Sequence, residues 1–206
     1  MDTDHQLCLD SPDPSSTRAL GASLALAWVR THPVRHETAG GGAAPGMVVS
    51  LQGALGAGKT VFVKGLARGL GIHEESVSSP TFVLANQYPI PARGHTLHHV
   101  DFYRLESAAE LETMGFFDLM AEGSLLVVEW GGKFAHELPD DRIELEIAAN
   151  REAGTDARRI SAAGTGPAAK RLLEAWRVSL EEDGLIGKEV ELAARFESLP
   201  GTDSER

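Results

Sequence analysis

The chain has 206 residues, 42% of them hydrophobic, which is enough for one α/β domain with a hydrophobic core and too little for a second full domain. Its 19 basic and 30 acidic residues give a formal net charge of -11, so the summed field repels phosphate backbones and argues against nucleic acid as a direct ligand. Cys8 is the only cysteine, which excludes an intrachain disulfide and a cysteine-based zinc site; with no apolar run long enough to span a bilayer and no secretory signal, we expect a cytoplasmic protein without membrane contact.

Periodic hydrophobic patterns divide the chain into interspersed strands and helices. The turn formers of residues 11–17 offer a hydroxyl N-cap for the first helix. Two compact apolar runs, residues 47–52 and 124–128, lead into polar turns and predict buried parallel strands. In chain order the expected elements are a strand at 5–9, a helix through 30, a strand at 47–52, a helix at 59–70, strands at 83–88 and 96–101, a helix at 106–114, strands at 124–128, 142–148 and 158–162, and a helix from 167.

The turn after the strand at 47–52 carries the strongest chemical signal. Residues 53–60 read Gly-Ala-Leu-Gly-Ala-Gly-Lys-Thr, which fits the pattern G-x-x-x-x-G-K-[ST] between a strand and a helix. Small residues let backbone amides converge on a phosphate, and the following helix adds its N-terminal amides and its dipole. Lys59 suits the β- and γ-oxygens, and the Thr60 hydroxyl suits Mg2+. The predicted phosphate-binding residues of this turn are Gly53, Gly56, Ala57, Gly58, Lys59 and Thr60.

This strand, turn and helix predict an α/β fold: a three-layer sandwich like that of P-loop NTPases, around a central mixed, largely parallel sheet. We assign residues 1–165 to a P-loop ATPase domain, in which the glycine-rich, aperiodic residues 32–46 are expected to form a flexible connection. Residues 166–206 are expected to form a C-terminal helical extension. Its tail, from residue 181 onward, has eight acidic and three basic residues.

Two acidic residues close predicted strands, Asp101 and Glu129. Ligands of an open α/β sheet lie beyond the carboxyl ends of the parallel strands, so both carboxylates are expected to face the phosphates. One of them would hold Mg2+ while the other orients or deprotonates the attacking water, and the sequence leaves the division open. The alternative is that either carboxylate caps the next turn. His99 shares a strand face with Asp101 and is expected to support the site or pack in the core rather than to bind metal.

Two further features near this edge have two interpretations each. Ser79, Pro80 and Thr81 lie where other P-loop hydrolases keep a segment that senses the γ-phosphate, but a proline turn before a strand explains the same residues. Trp130 follows Glu129 directly. Its ring could stack on a base or cover the site, or it could pack against the sheet.

The ordered set of motifs resembles the bacterial TsaE family, also called YjeE. The resemblance covers most of residues 17–147 and departs from the compact family pattern in the glycine-rich connection and in the extension after about residue 167. The strings that carry it are residues 53–60, Ser-Pro-Thr-Phe at 79–82, His-Val-Asp-Phe-Tyr-Arg-Leu at 99–105, Glu-Leu-Glu-Thr-Met-Gly at 110–115 and Val-Glu-Trp at 128–130.

The resemblance implies an ATPase, slow in isolation, that works with TsaB and TsaD in making threonylcarbamoyladenosine in tRNA and meets the tRNA only through that complex. It implies ATP as substrate, Mg2+ as cofactor on Thr60 and Glu129, and Asp101 as the Walker B-like acid. Ser16 and Thr17 would then lie near the adenine, and Arg158 and Arg159 are candidates for a late nucleotide contact. The catalytic set would be Asp101, Glu129 and Lys59, and the phosphates would be held by Gly56, Ala57, Gly58, Lys59, Thr60 and Val61.

Two other functions fit the same turn. A small-molecule kinase would transfer the γ-phosphoryl group to an acceptor instead of water, and the arginines at 151, 158 and 159 could imitate its lid, although no acceptor site is recognisable. A non-catalytic module would use nucleotide occupancy to govern docking to a partner. A guanine-specific switch is disfavoured because the chain has no Asn-Lys-x-Asp string.

Overall fold

A computed structural model describes residues 6–32, 46–80, 84–91, 93–120 and 123–186. The predicted flexible connection at 32–46 and the predicted acidic tail lie almost wholly outside the described residues. Short 3-10 helices occur at Glu74–Ser76, Phe116–Met120 and Gly131–Glu137. In chain order the other elements are β1 (Gln6–Ser11), α1 (Pro14–Thr31), β2 (Met47–Gln52), α2 (Lys59–Gly69), β3 (Ala85–Pro89), β4 (Thr96–Asp101), α3 (Ala109–Thr113), β5 (Leu125–Glu129), β6 (Arg142–Ala149), β7 (Arg158–Gly164) and α4 (Pro167–Glu182).

The seven strands form one mixed sheet in the order β1-β7-β6-β2-β5-β4-β3. The four central strands, β6, β2, β5 and β4, are parallel to one another, whereas β3 at one edge and β7 and β1 at the other run antiparallel to their neighbours. The parallel centre reflects the apolar runs of β2 and β5, whose residues are buried on both faces. The predicted mixed α/β sheet is therefore confirmed, with its parallel pairing confined to the centre.

Helices and short helical turns cover the two faces of the sheet and make three layers. One face packs against α1, α2 and α4, and its core includes the fully buried rings of Trp28, Phe62 and Trp176. The other face packs against α3 and short 3-10 helices around Phe102 and Phe116. The α4 helix shares the first core, while the division of the chain at residue 165 stays a prediction. Within the described ranges, no helix combines the length and apolarity that a bilayer crossing requires.

Three local differences from the sequence predictions have clear causes. The expected hydroxyl N-cap of α1 is wrong: the cap is Asp13, whose Oδ1 accepts the Ser16 N–H at 2.8 Å. The α3 helix begins at residue 109 rather than 106, because the Glu110 carboxylate accepts the backbone N–H groups of residues 106 and 107 and so holds them in a turn before the helix. The β3 strand begins after Leu84, whose φ of 64° is left-handed and incompatible with a strand.

Candidate functional site

The turn between β2 and α2 wraps tightly because its glycines adopt backbone angles that other residues avoid. Gly53 has φ 141° and Gly58 has φ 105°. A Cβ on Gly53 would lie 2.4 Å from the carbonyl oxygen of Ile147 on the neighbouring strand β6. The pattern of small residues predicted from the sequence therefore has a steric reason in the structure, since a larger residue at 53 would push the turn away from the sheet.

The N-terminus of α2 is open to a ligand. Gly58 is the N-cap and provides no side-chain hydrogen bond to the first turn of this 11-residue helix. The first amides of an α-helix have no partner within the helix, and here no capping side chain supplies one. Together with the helix dipole they favour an anion at residues 59–61, the end of the predicted phosphate-binding turn.

Lys59 lies inside the turn rather than extending into solvent. Its ammonium donates to the carbonyl oxygens of Gly53 at 2.8 Å and Ala54 at 3.1 Å, and it lies 4.5 Å from the centre of the Trp130 ring. Burial lowers the pKa of Lys59, while the carboxylates of Glu129 and Asp101 act in the opposite direction. The turn thus holds a partly desolvated positive charge next to two acids, which suits the recognition of phosphate oxygens.

Thr60 and Glu129 meet at one oxygen atom. The Thr60 hydroxyl donates to Oε1 of Glu129 at 3.0 Å. The same Oε1 lies 2.9 Å from Nε2 of His99, whose side chain has no exposed surface. The β2, β5 and β4 strands are parallel neighbours, so the carboxyl end of β5 lies beside the start of the phosphate turn. The structure therefore brings together the two residues assigned by resemblance to Mg2+.

Asp101 is the register partner of Glu129 on the adjacent strand. Its Oδ1 accepts the backbone N–H of Tyr103 at 2.9 Å, and the hydroxyl of Ser79 donates to Oδ2 at 3.4 Å. Pro80 is buried, and its carbonyl accepts the N–H of Leu84. Ser79 therefore lies next to Asp101, as a segment that senses the γ-phosphate requires, and the alternative of a proline turn before a strand stays open. Thr81 lies outside the described residues.

The Trp130 ring packs against the core and also borders the phosphate turn. It is half-buried and packs against the core beneath the short-helix face, and its ring also lies over the Lys59 ammonium. Its φ of 61° turns the chain sharply after β5, and its N–H donates to the Leu51 carbonyl at 2.9 Å. The ring of Tyr103 also contacts this ring, with 5.3 Å between the ring centres.

The two adjacent arginines at the start of β7 have different surroundings. Arg158 donates from Nε to the carbonyl of Ala57 in the phosphate turn at 2.9 Å. Arg159 instead donates to Asp10 at 3.1 Å, and both of those side chains are more than half exposed. Of the two candidates for a late nucleotide contact, only Arg158 contacts the turn. Sequence spacing could not separate them, because adjacent residues of a strand point to opposite faces and the register decides which side meets the turn.

The start of α1 lies on the same side of the sheet as Arg158, because Ser11 of β1 is the register partner of Arg158. Thr17 is buried, and its hydroxyl shares a 2.7 Å hydrogen bond with the Ser11 hydroxyl. Ser16 contributes its backbone N–H to the Asp13 cap. These contacts hold the polar start of the helix against the end of β1, beside Arg158, and the adenine contact of Ser16 and Thr17 stays a prediction.

One contact that the sequence predictions missed is the pairing of His99 with Glu129. The sequence placed His99 on the Asp101 face but did not connect it to the other acid. The signal lies in the strand alignment: His99 pairs with Val127 in register, two residues before Glu129 on the same face. Predicting it requires knowing that β4 and β5 are parallel neighbours.

Comparison with known proteins gives one consistent family. The model of the family "Threonylcarbamoyl adenosine biosynthesis protein TsaE" matches residues 12–160. The chain is 47% identical over 103 residues to the tRNA threonylcarbamoyladenosine biosynthesis protein TsaE of Treponema pallidum, covering 50% of this chain and 73% of the relative. It is 41% identical over 123 residues to the protein of the same description from Streptomyces coelicolor, covering 59% and 82%. The crystal structure of Bacillus subtilis YdiB superposes with a TM-score of 0.58 and 29% identity, covering 84% of this chain and 95% of that one.

The matched region contains the residues that the structure brings together. Residues 12–160 run from the turn before α1 into β7, so they include the phosphate turn, both acidic strand ends, Trp130 and Arg158. The resemblance inferred from the motifs is confirmed, and the P-loop-type α/β fold is shared with a solved relative. This chain belongs to the TsaE family of proteins of tRNA threonylcarbamoyladenosine biosynthesis.

Proposed function

We propose that the chain binds ATP with Mg2+ at residues 53–60 and hydrolyses it, as a component of the machinery that makes threonylcarbamoyladenosine in tRNA. The observation that carries the proposal is the convergence of a lysine, a hydroxyl and two carboxylates at one edge of the sheet. Lys59 and Thr60 come from the turn and helix after β2, while Asp101 and Glu129 end the two strands beside it. These groups belong to phosphoryl-transfer chemistry, in which positioning and charge stabilisation do most of the catalysis.

The oxygen atoms at this edge suit Mg2+. Thr60 and Glu129 supply a hydroxyl and a carboxylate 3.0 Å apart, and oxygen ligands are those that this hard cation prefers. Among the residues that the structure describes, no cluster of three or more His, Cys, Asp or Glu side chains could hold a metal. The site therefore fits a cation that takes its remaining ligands from phosphate oxygens and water. When bound, Mg2+ would neutralise charge that develops on the β- and γ-phosphate oxygens.

The geometry supports a division of roles between the two acids. Glu129 shares the Thr60 hydroxyl, so we assign it to the cation. Asp101 accepts the Tyr103 N–H at one oxygen and faces the Ser79 hydroxyl at the other, so we assign it to orienting or deprotonating the attacking water. Lys59 already lies within the turn, and incoming phosphate oxygens would replace the Gly53 and Ala54 carbonyls as its acceptors.

The surroundings of the site also support a partner that docks over it. Leu55 at the tip of the phosphate turn is 81% exposed, and Tyr103, which contacts Trp130, is 48% exposed. Large apolar side chains beside a binding site favour a protein interface. Because the chain belongs to the TsaE family, we propose TsaB and TsaD as the partners, with tRNA reached only through them. The single cysteine fits a reducing compartment, so we place the activity in the cytoplasm.

Calorimetry with Mg-ATP and a phosphate-release assay test the proposal. We expect binding by the isolated chain, slow release of phosphate, and faster release when TsaB and TsaD homologues are added. A parallel screen of small hydroxyl acceptors tests the kinase alternative, which predicts acceptor-dependent ADP and a phosphorylated product. Nucleotide-dependent complex formation without turnover in any mixture would instead establish a binding module. No heat with Mg-ATP would remove the assignment altogether.

A further inference from the structure

His99 is a buried polar side chain with one partnered and one unpartnered ring nitrogen. Its side chain has no exposed surface, and its Nε2 lies 2.9 Å from Oε1 of Glu129. Its Nδ1 is buried and has no hydrogen-bond partner in the part of the chain that the structure describes. The single hydrogen-bond partner of this buried imidazole is Glu129, the residue that we assign to the cation. Packing alone does not explain that contact.

The contacts select one form of the ring. An ionised carboxylate can only accept hydrogen bonds, so Nε2 must carry a proton for the 2.9 Å contact to be favourable. The other neutral form, with the proton on Nδ1, would bury an N–H group without an acceptor. It would also leave the unprotonated Nε2 next to Oε1 of Glu129, so that two hydrogen-bond acceptors would face each other. The Nε2–H form leaves unsatisfied only a nitrogen lone pair, which costs less than a buried, unpaired N–H group.

This form of His99 determines how Glu129 is presented. Oε1 of Glu129 then accepts two hydrogen bonds, from His99 Nε2–H and from the Thr60 hydroxyl. Within the described residues Oε2 receives none, although the side chain is only 5% exposed. A glutamate side chain has three rotatable bonds, and two donors on a single oxygen fix both its position and the direction of the other oxygen.

We propose that His99 is a positioning residue, which holds Oε1 of Glu129 so that Oε2 is presented to the Mg2+ and nucleotide of the proposed site. The inference rests on the proposed function for the identity of the ligand, but the ring form and the hydrogen bond belong to the protein without ligand. The hydrogen bond from β4 to β5 also ties the acid to a fully buried anchor on the neighbouring strand, which a solvent-facing residue could not provide.

Three variants separate positioning from packing. His99→Gln places an amide N–H close to the position of Nε2, whereas His99→Met has a similar volume and no donor. His98→Gln is the matched control, because His98 lies on the opposite face of the same strand and does not contact the site. We expect His99→Met to raise the Mg2+ concentration needed for tight ATP binding by about 10- to 100-fold, the usual effect of losing a group that supports a metal ligand. Binding of ATP in the presence of EDTA, which depends on the turn, should be unchanged, and His99→Gln should recover most of the Mg2+ effect.

A spectroscopic measurement on the ligand-free protein completes the test. Long-range 1H–15N NMR of the histidine rings should show the Nε2–H form for His99, assigned by its loss in His99→Gln. A ring protonated on Nδ1 would overturn the inference, as would a Mg2+ requirement of His99→Met equal to that of the wild type, or equal losses in the Gln and Met variants. Failure of the wild type to bind Mg-ATP would refute the proposed function instead, and the NMR result would still decide whether His99 holds Glu129.

Discussion

The two faces of the sheet are built differently. On one face, α1, α2 and α4 are regular helices that bury Trp28 and Trp176 completely. On the other, α3 is five residues long, and the cover consists of short turns around Phe102 and Phe116. The helices α1 and α4 pack around α2 and so hold the phosphate turn that precedes it, whereas Trp130 lies at the start of the short-turn cover. The long-helix face therefore supplies most of the buried core, and the short-turn face supplies the residues that cover the site.

A mutation in the core of the long-helix face should cause the greatest loss of stability. Trp176→Ala removes a fully buried ring that packs edge-on against Phe62, and we expect it to lower the free energy of unfolding by about 4 kcal/mol. On the short-turn face, Leu111→Ala should lower it by about 2 kcal/mol, at the low end for a buried leucine, because a five-residue helix can collapse into the space. Urea unfolding measures both. Trp176→Phe, which keeps a ring, should cost less than the alanine variant, and equal losses on the two faces would contradict the proposed difference between them.

We expect a smaller effect at the phosphate turn, where a mutation should change ATP affinity rather than stability. Lys59→Ala removes the ammonium that lies between the turn and the acids, and we expect ATP affinity measured by calorimetry to fall on the order of a hundredfold. Stability should not fall, because burial lowers the pKa of Lys59 and its charge is therefore held at a cost in the folded state. Lys64→Ala, one turn further along α2, is the control. A variant that binds ATP normally would contradict the role of the turn.

The adjacent arginines of β7 allow a matched test within a single strand. Arg158→Ala removes the guanidinium that donates to Ala57, and we expect ATP affinity to fall about tenfold, as for one lost hydrogen bond to a charged group. Arg159→Ala breaks only an exposed pair with Asp10, whose contribution is at most about 1 kcal/mol and does not reach the turn. Titration of both variants with labelled ATP measures the difference. Equal ATP affinities of the two variants would show that the contact of Arg158 with the turn does not contribute to binding.

The smallest expected effect is a pH dependence at the far end of the long-helix face. His95 packs edge-on against Trp28, and burial, reinforced by the Arg93 guanidinium, lowers the pKa of His95. Burial likewise lowers the pKa of His32, which stacks on the same ring near His95, Arg93 and Arg171. The folded protein therefore binds fewer protons than the unfolded chain, so stability falls as the pH drops below the ordinary histidine value of 6.5.

His95→Phe keeps a ring on Trp28 without a titrating group. Urea unfolding at pH 7.5 and pH 5.5 should show a smaller loss of stability for this variant than for the wild type. The exposed His73, replaced by Gln, provides the control and should leave the difference between the two pH values unchanged. A variant with the same pH dependence as the wild type would show that the half-buried pair His32 and His95 does not oppose folding in acid.

Much of the fold could be predicted because each central element has a strong local signal. The strand β2, the helix α2 and the strand β4 were predicted within one residue of their observed bounds. Two failures occurred where side-chain hydrogen bonds override periodicity. The carboxylate of Asp13 caps α1 in place of the expected hydroxyl, and that of Glu110 holds residues 106 and 107 in a turn before α3. The late start of β3 has a backbone cause instead, the left-handed φ of Leu84.

The identities of the candidate site residues could be predicted, but their contacts could not. The lysine, the hydroxyl and the two strand-end acids follow from the motif and from the rule that ligands lie beyond parallel strands. The contact of His99 with Glu129 and that of Arg158 with Ala57 depend on which strands are neighbours and in what register. Those are properties of the assembled sheet, and no window of local sequence contains them.

The position of Lys59 has a consequence for how quickly a nucleotide can be captured. Its ammonium gives up part of its water when the chain folds, since the carbonyls of Gly53 and Ala54 and the ring of Trp130 replace part of the hydration shell. Part of the cost of dehydrating the cation is thus met before any ligand arrives, and association proceeds largely by an exchange of acceptors. A preformed turn of this kind favours fast capture, with release governed by how readily the two carbonyls reclaim the lysine.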